Sequence, residues 1–175
     1  MKMRMGQMVE RVSEIVRRYY PPVPSTLSKR FIIIDGAGLE RVKKSLEHNC
    51  YADWDCSTQE YQSDLNTHLY ERIESNRHRI IPWLNRAKTL NGASVLEIGC
   101  GTGSSTVALA EQGARVTAID IDEQSLDVAK ERCRIYGVDV SFSVCNATEA
   151  HRVFSQNQFD FIVFYACLEH MTHEE

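Results

Sequence analysis

The run Glu97-Ile98-Gly99-Cys100-Gly101-Thr102-Gly103 is the densest group of chemically suggestive residues in the chain. Three alternating glycines let a backbone turn sharply and let a ligand approach it with no Cβ in the way. Asp120 stands 21 positions after Gly99. An acid at the end of the next strand, about that far on, accepts hydrogen bonds from both hydroxyls of a ribose. Asp122 is the better cap for a helix beginning near Glu123, which leaves Asp120 for a ligand. A dinucleotide fits poorly, because the Gly-x-Gly-x-x-Gly fingerprint needs glycine where this chain has Ser104. Glu97 lies two positions before the first glycine, where its charge opposes a pyrophosphate and suits a cationic ligand. The bland alternative is a tight strand-to-helix turn that binds nothing. Near the end of the chain, His170 offers an imidazole that can serve as a general base, with Glu169 either orienting it or binding a ligand's outer edge. A histidine that merely starts a helix in a solvated loop is the competing view. His48, Cys50 and Cys56 match no zinc-ligand spacing, so no metal is expected.

At these residues the sequence resembles the class I S-adenosylmethionine-dependent methyltransferases, whose first motif reads like Val95 through Gly103. The likeness continues through Ile119-Asp120-Ile121-Asp122, where the family places its ribose-binding acid, and Cys145-Asn146-Ala147, which aligns with its adenine-holding segment. Phe159-Asp160 and Leu168-Glu169-His170 look like its fourth strand and the loop facing the reacting methyl. The resemblance covers less than half the chain. It implies S-adenosylmethionine as cofactor, whose sulfonium and ammonium suit Glu97. Gly99, Cys100, Gly101 and Gly103 are expected to line the methionine and ribose portions, Asp120 and Ile121 to flank ribose and adenine, and Asn146 and Ala147 to hold the base. The family often has aspartate at position 146; asparagine can accept through its amide oxygen instead. The implied reaction is in-line methyl transfer to a small-molecule, sugar or lipid-precursor acceptor. Two other classes stay open: a nucleotide-binding regulatory or assembly module without catalysis, and an NAD-dependent oxidoreductase.

The elements that must position these residues divide the chain near residue 90. Met5, Met8, Val12, Ile15 and Tyr19 recur at helical spacing, and Pro21, Pro22 and Pro24 begin a linker that runs to Lys29. Phe31 to Ile34 reads as a short strand. Ser57 to Glu60 reads as a capping box opening a helix with the apolar stripe Tyr61, Leu65, Leu69 and Ile73. A further helix is expected from Pro82 to the turn at Asn91-Gly92. Tyr51, Trp54 and Tyr61 are expected to pack against the sheet, with a lid over the cofactor as the alternative. The first 90 residues are thus a helical N-terminal region. From Ser94 strands alternate with helices: strands at 95–98, 115–119, 138–144 and 159–165, helices at 104–112, 123–136 and 147–154. Such alternation predicts an α/β, Rossmann-like, doubly wound parallel sheet over residues 91–175. The family's sheet usually has seven strands, and only four are readable here. A fragment of a longer chain, truncated after the fourth strand, is therefore expected, with a homodimer completing the sheet as the alternative.

The chain has 175 residues, with 43% hydrophobic and 25% charged side chains and a net charge of −4. That composition excludes disordered and collagen-like classes. A mildly acidic total disfavours nucleic acid as a partner. The longest apolar run, Phe161 to Leu168, is eight residues, too short for a membrane span, and no secretory signal is readable at the N-terminus. No membrane association and a cytoplasmic location are expected. The six cysteines form no Cys-x-x-Cys pair and read as reduced core thiols.

Overall fold

The computed structural model describes residues 31–165, 167 and 168. The helix expected at Met5–Tyr19, the linker that follows it, and Glu169 and His170 lie outside the described residues. Asp35 opens α1 (Gly36–Asn49), its carboxylate accepting from the Gly38 amide at 2.7 Å. The second helix begins one residue later than its capping box suggests. Thr58, not Ser57, is the N-cap of α2 (Gln59–Asn66), accepting from the Tyr61 amide at 3.2 Å, while the Ser57 hydroxyl donates to Asp55. Residues 59–87 then form one helical run. In it α2, α3 (Arg72–Ser75) and α4 (Ile81–Ala87) are joined by π-helical turns at Thr67–Glu71 and Asn76–Ile80. The helix expected from Pro82 is α4, which begins one residue earlier at Ile81, directly after the second π turn, and ends at Ala87 rather than at Asn91-Gly92. Tyr61, Leu65, Leu69 and Ile73 are all buried, as their spacing requires. Phe31 to Ile34 is no strand. Its backbone groups go to side chains instead: the Ile32 amide donates to Glu111 (3.0 Å) and its carbonyl accepts from Arg77 (2.8 Å).

From Ser94 the order is β1 (Ser94–Ile98), α5 (Ser104–Ala110), β2 (Arg115–Asp120), α6 (Glu123–Tyr136), β3 (Val140–Val144), a 3-10 turn at Ala147–Glu149, α7 (Ala150–Val153) and β4 (Phe161–Phe164). All pairings are parallel and the strands lie in the order β3-β2-β1-β4, with Glu97 of β1 level with Ala118 of β2 and Val163 of β4. The expected Rossmann-like sheet is present. Strand β3 is shorter at its start than predicted because Val138 belongs to the exit from α6: Gly137 is left-handed (φ 66°) and the Val138 amide bonds the Cys133 carbonyl.

Alternation along the strands builds two cores. Val95, Val116, Ala118 and Val163 pack beneath α4, α5 and α6, while Leu96, Ile98 and Ile119 meet Ala150, Phe154 and Phe159 on the other face. On β4, Ile162 and Phe164 stay exposed on that second face. Tyr51 and Tyr61 are buried not against the sheet but in a cluster with α1, α2 and Val128 of α6; Trp54 packs edge-on to Tyr51 at the surface. Arg77 closes the helical region onto α5 through two bonds to Glu111, of 2.9 and 2.7 Å. No helix among the described residues is long and apolar enough to cross a membrane. Strand order turns back at β1, with β2 on one side and β4 on the other. The crevice beyond the carboxyl ends there is where open α/β sheets bind ligands.

Candidate functional site

The glycine loop leaves β1 at that crevice. The amides of Gly99 and Cys100 both donate to the Ile119 carbonyl (2.9 and 3.1 Å), and the Gly101 amide donates to Oδ2 of Asp120 at 2.7 Å. Oδ1 of Asp120 accepts from the Asp122 amide, while Asp122 itself caps α6 through Gln124 and Ser125. Asp120 thus ties the end of β2 to the loop and retains unshared lone pairs on the cavity side.

Two loop residues expected at the ligand are placed elsewhere. Gly103 has φ +80°, and a Cβ there would stand 2.9 Å from Cα and Cβ of Ala129, so its role is to let α5 approach α6. Glu97 faces away from the cavity, beneath the first turn of α5, where the Ser105 hydroxyl and the Thr106 hydroxyl (2.6 Å) donate to it. It is 1% exposed, and burial pushes its carboxyl up to about 7 against the lowering effect of those hydroxyls. Alternation along β1 turns Ile98, not Glu97, to the cavity.

The cavity has a volume of about 430 Å³, within the range of small-molecule sites. Gly99, Cys100, Gly101, Asp120, Ile121, Asn146 and Ala147 line it. Asn146 differs in detail: its amide oxygen accepts from the Thr148 amide and hydroxyl, both at 2.9 Å, and is used in capping the 3-10 turn. Ile121 is 70% exposed at the rim, an apolar side chain with a face to offer.

Sequence reasoning missed several of the lining residues. Arg72 and Asn76, four apart on the helical run, reach the cavity, as do Thr102 and Ser104 from the loop and Tyr165 and Cys167 after β4. Asn76 is 1% exposed, and its Oδ1 has no partner among the described residues; the buried Ser104 hydroxyl has none either. The i, i+4 spacing of Arg72 and Asn76 was the available signal. Thr102 bonds through its hydroxyl to Nδ1 of His68 at 3.0 Å. Burial and the nearby Arg72 cation push that imidazole down to about 4.

With this geometry in place, residues 95–175 match the model of a methyltransferase domain. Over this segment the chain is similar to methyltransferase domains. Among curated relatives, the ubiquinone biosynthesis O-methyltransferase of Azoarcus sp. (strain BH72) is 34% identical over 102 residues, 56% of this chain and 43% of that protein. The magnesium-protoporphyrin O-methyltransferase of Rhodobacter capsulatus is 42% identical over 76 residues, 42% of this chain and 32% of that protein. The chain thus spans less than half the length of these relatives. A crystal structure of magnesium protoporphyrin IX methyltransferase from Synechocystis PCC 6803, with bound S-adenosylmethionine, superposes with a TM-score of 0.53 at 22% identity. The match covers 86% of this chain and 68% of that one, a likeness of fold.

Proposed function

We propose that the methyltransferase domain binds S-adenosylmethionine in this cavity and that the whole protein transfers its methyl group to a small-molecule, sugar or lipid-precursor acceptor. The observation that carries the proposal is the joint placement of the Gly99–Gly101 bend, the Asp120 carboxylate, Ile121 and Arg72 around one cavity at the strand switch point. The lining offers two kinds of chemistry: Asp120, Ile121 and Ala147 suit a ribose and its base, whereas the Arg72 guanidinium suits the carboxylate of an amino acid.

When bound, S-adenosylmethionine supplies a sulfonium-activated methyl. Charge is neutralised as the new bond forms, so the chain's contribution is alignment and exclusion of water. Asp120 holds the ribose and the glycine loop together, the bend at Gly101 admits the ligand against bare backbone, and Tyr165 and Cys167 border the open side. For a hydroxyl acceptor the proposed base is His170. Removing it by His170→Ala should lower kcat and leave cofactor affinity unchanged.

Calorimetry with S-adenosylhomocysteine tests the cofactor assignment. Asp120→Ala should weaken binding by about 1.5 to 3 kcal/mol, the scale of hydrogen bonds to a charged group. Full affinity in that variant, or displacement of the ligand by NAD, contradicts the proposal.

A further inference from the structure

We infer that His68 is a positioning residue, fixing the Thr102 hydroxyl so that its oxygen lone pairs face the cavity and accept from the ammonium at the amino-acid end of the cofactor. The inference rests on the S-adenosylmethionine reading above and adds a residue of the helical region to the site.

The geometry runs outward from the loop. Thr102 lines the cavity and is 5% exposed, and its Oγ1 lies 3.0 Å from Nδ1 of His68. The other ring nitrogen, Nε2, faces Oδ2 of Asp64 at 3.7 Å. That distance is too long for a hydrogen bond, yet a carboxylate so close favours a proton over a lone pair on Nε2. Asp64 is held in place by the Tyr51 hydroxyl at 2.6 Å. With its proton on Nε2, a neutral imidazole presents a lone pair at Nδ1, so the Thr102 hydroxyl must be the donor in their bond. A hydroxyl has one proton and two lone pairs. Once the proton is committed to His68, only acceptor capacity remains for the ligand.

The surroundings keep the ring neutral and still. Burial, with Arg72 and Arg132 nearby, disfavours the imidazolium at neutral pH. Nη2 of Arg132, a fully buried arginine on α6, donates to the His68 carbonyl at 3.0 Å. His68 lies in the first π turn, a deviation from regular helix of the kind that recurs at functional sites. Without His68 the Thr102 proton can rotate into the cavity, where it opposes an ammonium.

Two ligands that differ only at the amino-acid end give the test. S-adenosylhomocysteine carries the ammonium; 5′-methylthioadenosine has the same adenosine and thioether without it. In calorimetry on the full chain, His68→Ala and Thr102→Val should each weaken S-adenosylhomocysteine about tenfold or more and leave 5′-methylthioadenosine within about twofold. The double variant should be no worse than Thr102→Val. His68→Asn, whose amide oxygen falls near the Nδ1 position, should recover the loss, and His68→Gln should not. Thr102→Val is nearly isosteric and carries the test if His68→Ala fails to fold. Equal losses on both ligands, or none, overturn the inference while leaving the cofactor assignment standing. A wild-type chain that binds neither ligand overturns the assignment itself.

Discussion

Replacing Glu97 by glutamine probes the buried carboxylate beneath the glycine loop. Glu97 has an ordinary value of 4.5 and is pushed up to about 7 in the fold, chiefly by burial. Between those values the folded chain keeps a proton that the unfolded chain has released, so this residue's contribution to stability falls as pH rises through the window. The distance from 4.5 to about 7 corresponds to about 3 kcal/mol. His68 runs the other way: its folded value, lowered from 6.5 to about 4, makes stability rise over that interval. The two largely cancel in the wild-type curve, so the measure is the difference between wild type and Glu97→Gln. Glutamine keeps the shape, and the Ser105 and Thr106 hydroxyls can turn to serve its amide. Urea unfolding at intervals from pH 5 to 8.5 should show the variant close to wild type at the acid end and more stable by up to about 3 kcal/mol at the alkaline end. A difference that stays flat, or that turns against the variant as pH rises, refutes the reasoning.

The glycines of the loop should separate into two kinds. Gly103→Ala forces a left-handed alanine against the backbone of Ala129 and should lower unfolding free energy by about 2 to 4 kcal/mol. Gly101→Ala has nothing within 4 Å, so it should lower stability by only about 1 kcal/mol while weakening S-adenosylhomocysteine at least tenfold; the opposite ranking in denaturation and calorimetry overturns both assignments. Glu111→Ala leaves Arg77 buried without its main carboxylate and should destabilise by about 3 to 5 kcal/mol, read as a fall in Tm. Adding Arg77→Met should restore part of that loss, and no restoration would show that the ion pair is not its source.

Signals confined to a few consecutive residues were legible in the sequence. Helix α6 runs from Glu123 to Tyr136 as read, because Asp122 caps one end and a left-handed Gly137 closes the other. Strand β1 and the turn after it were equally plain, since a short apolar run ending in alternating glycines leaves the backbone few options. Seven of the nine residues expected at the cofactor line one cavity.

Contacts between distant segments lay beyond what spacing can report. Glu97 and Ile98 are neighbours on one strand, and their order alone does not say which of the two sheet faces carries the ligand. The packing of α5 over one face decides it, sending the carboxylate into the core. Gly101 and Gly103 are indistinguishable as letters, yet only the second meets the backbone of α6. Phe31 to Ile34 has the composition of a strand, but Arg77 and Glu111 claim its backbone groups before a neighbouring strand can. Arg72 and Asn76 line the cavity because the helical run packs against α5 beside the glycine loop, a juxtaposition made by side-chain burial over long separations. Local preference, set by sterics and hydrogen bonds within a few residues, was enough to specify the elements; which side of each element meets solvent, core or ligand was settled only when the apolar faces were buried against one another.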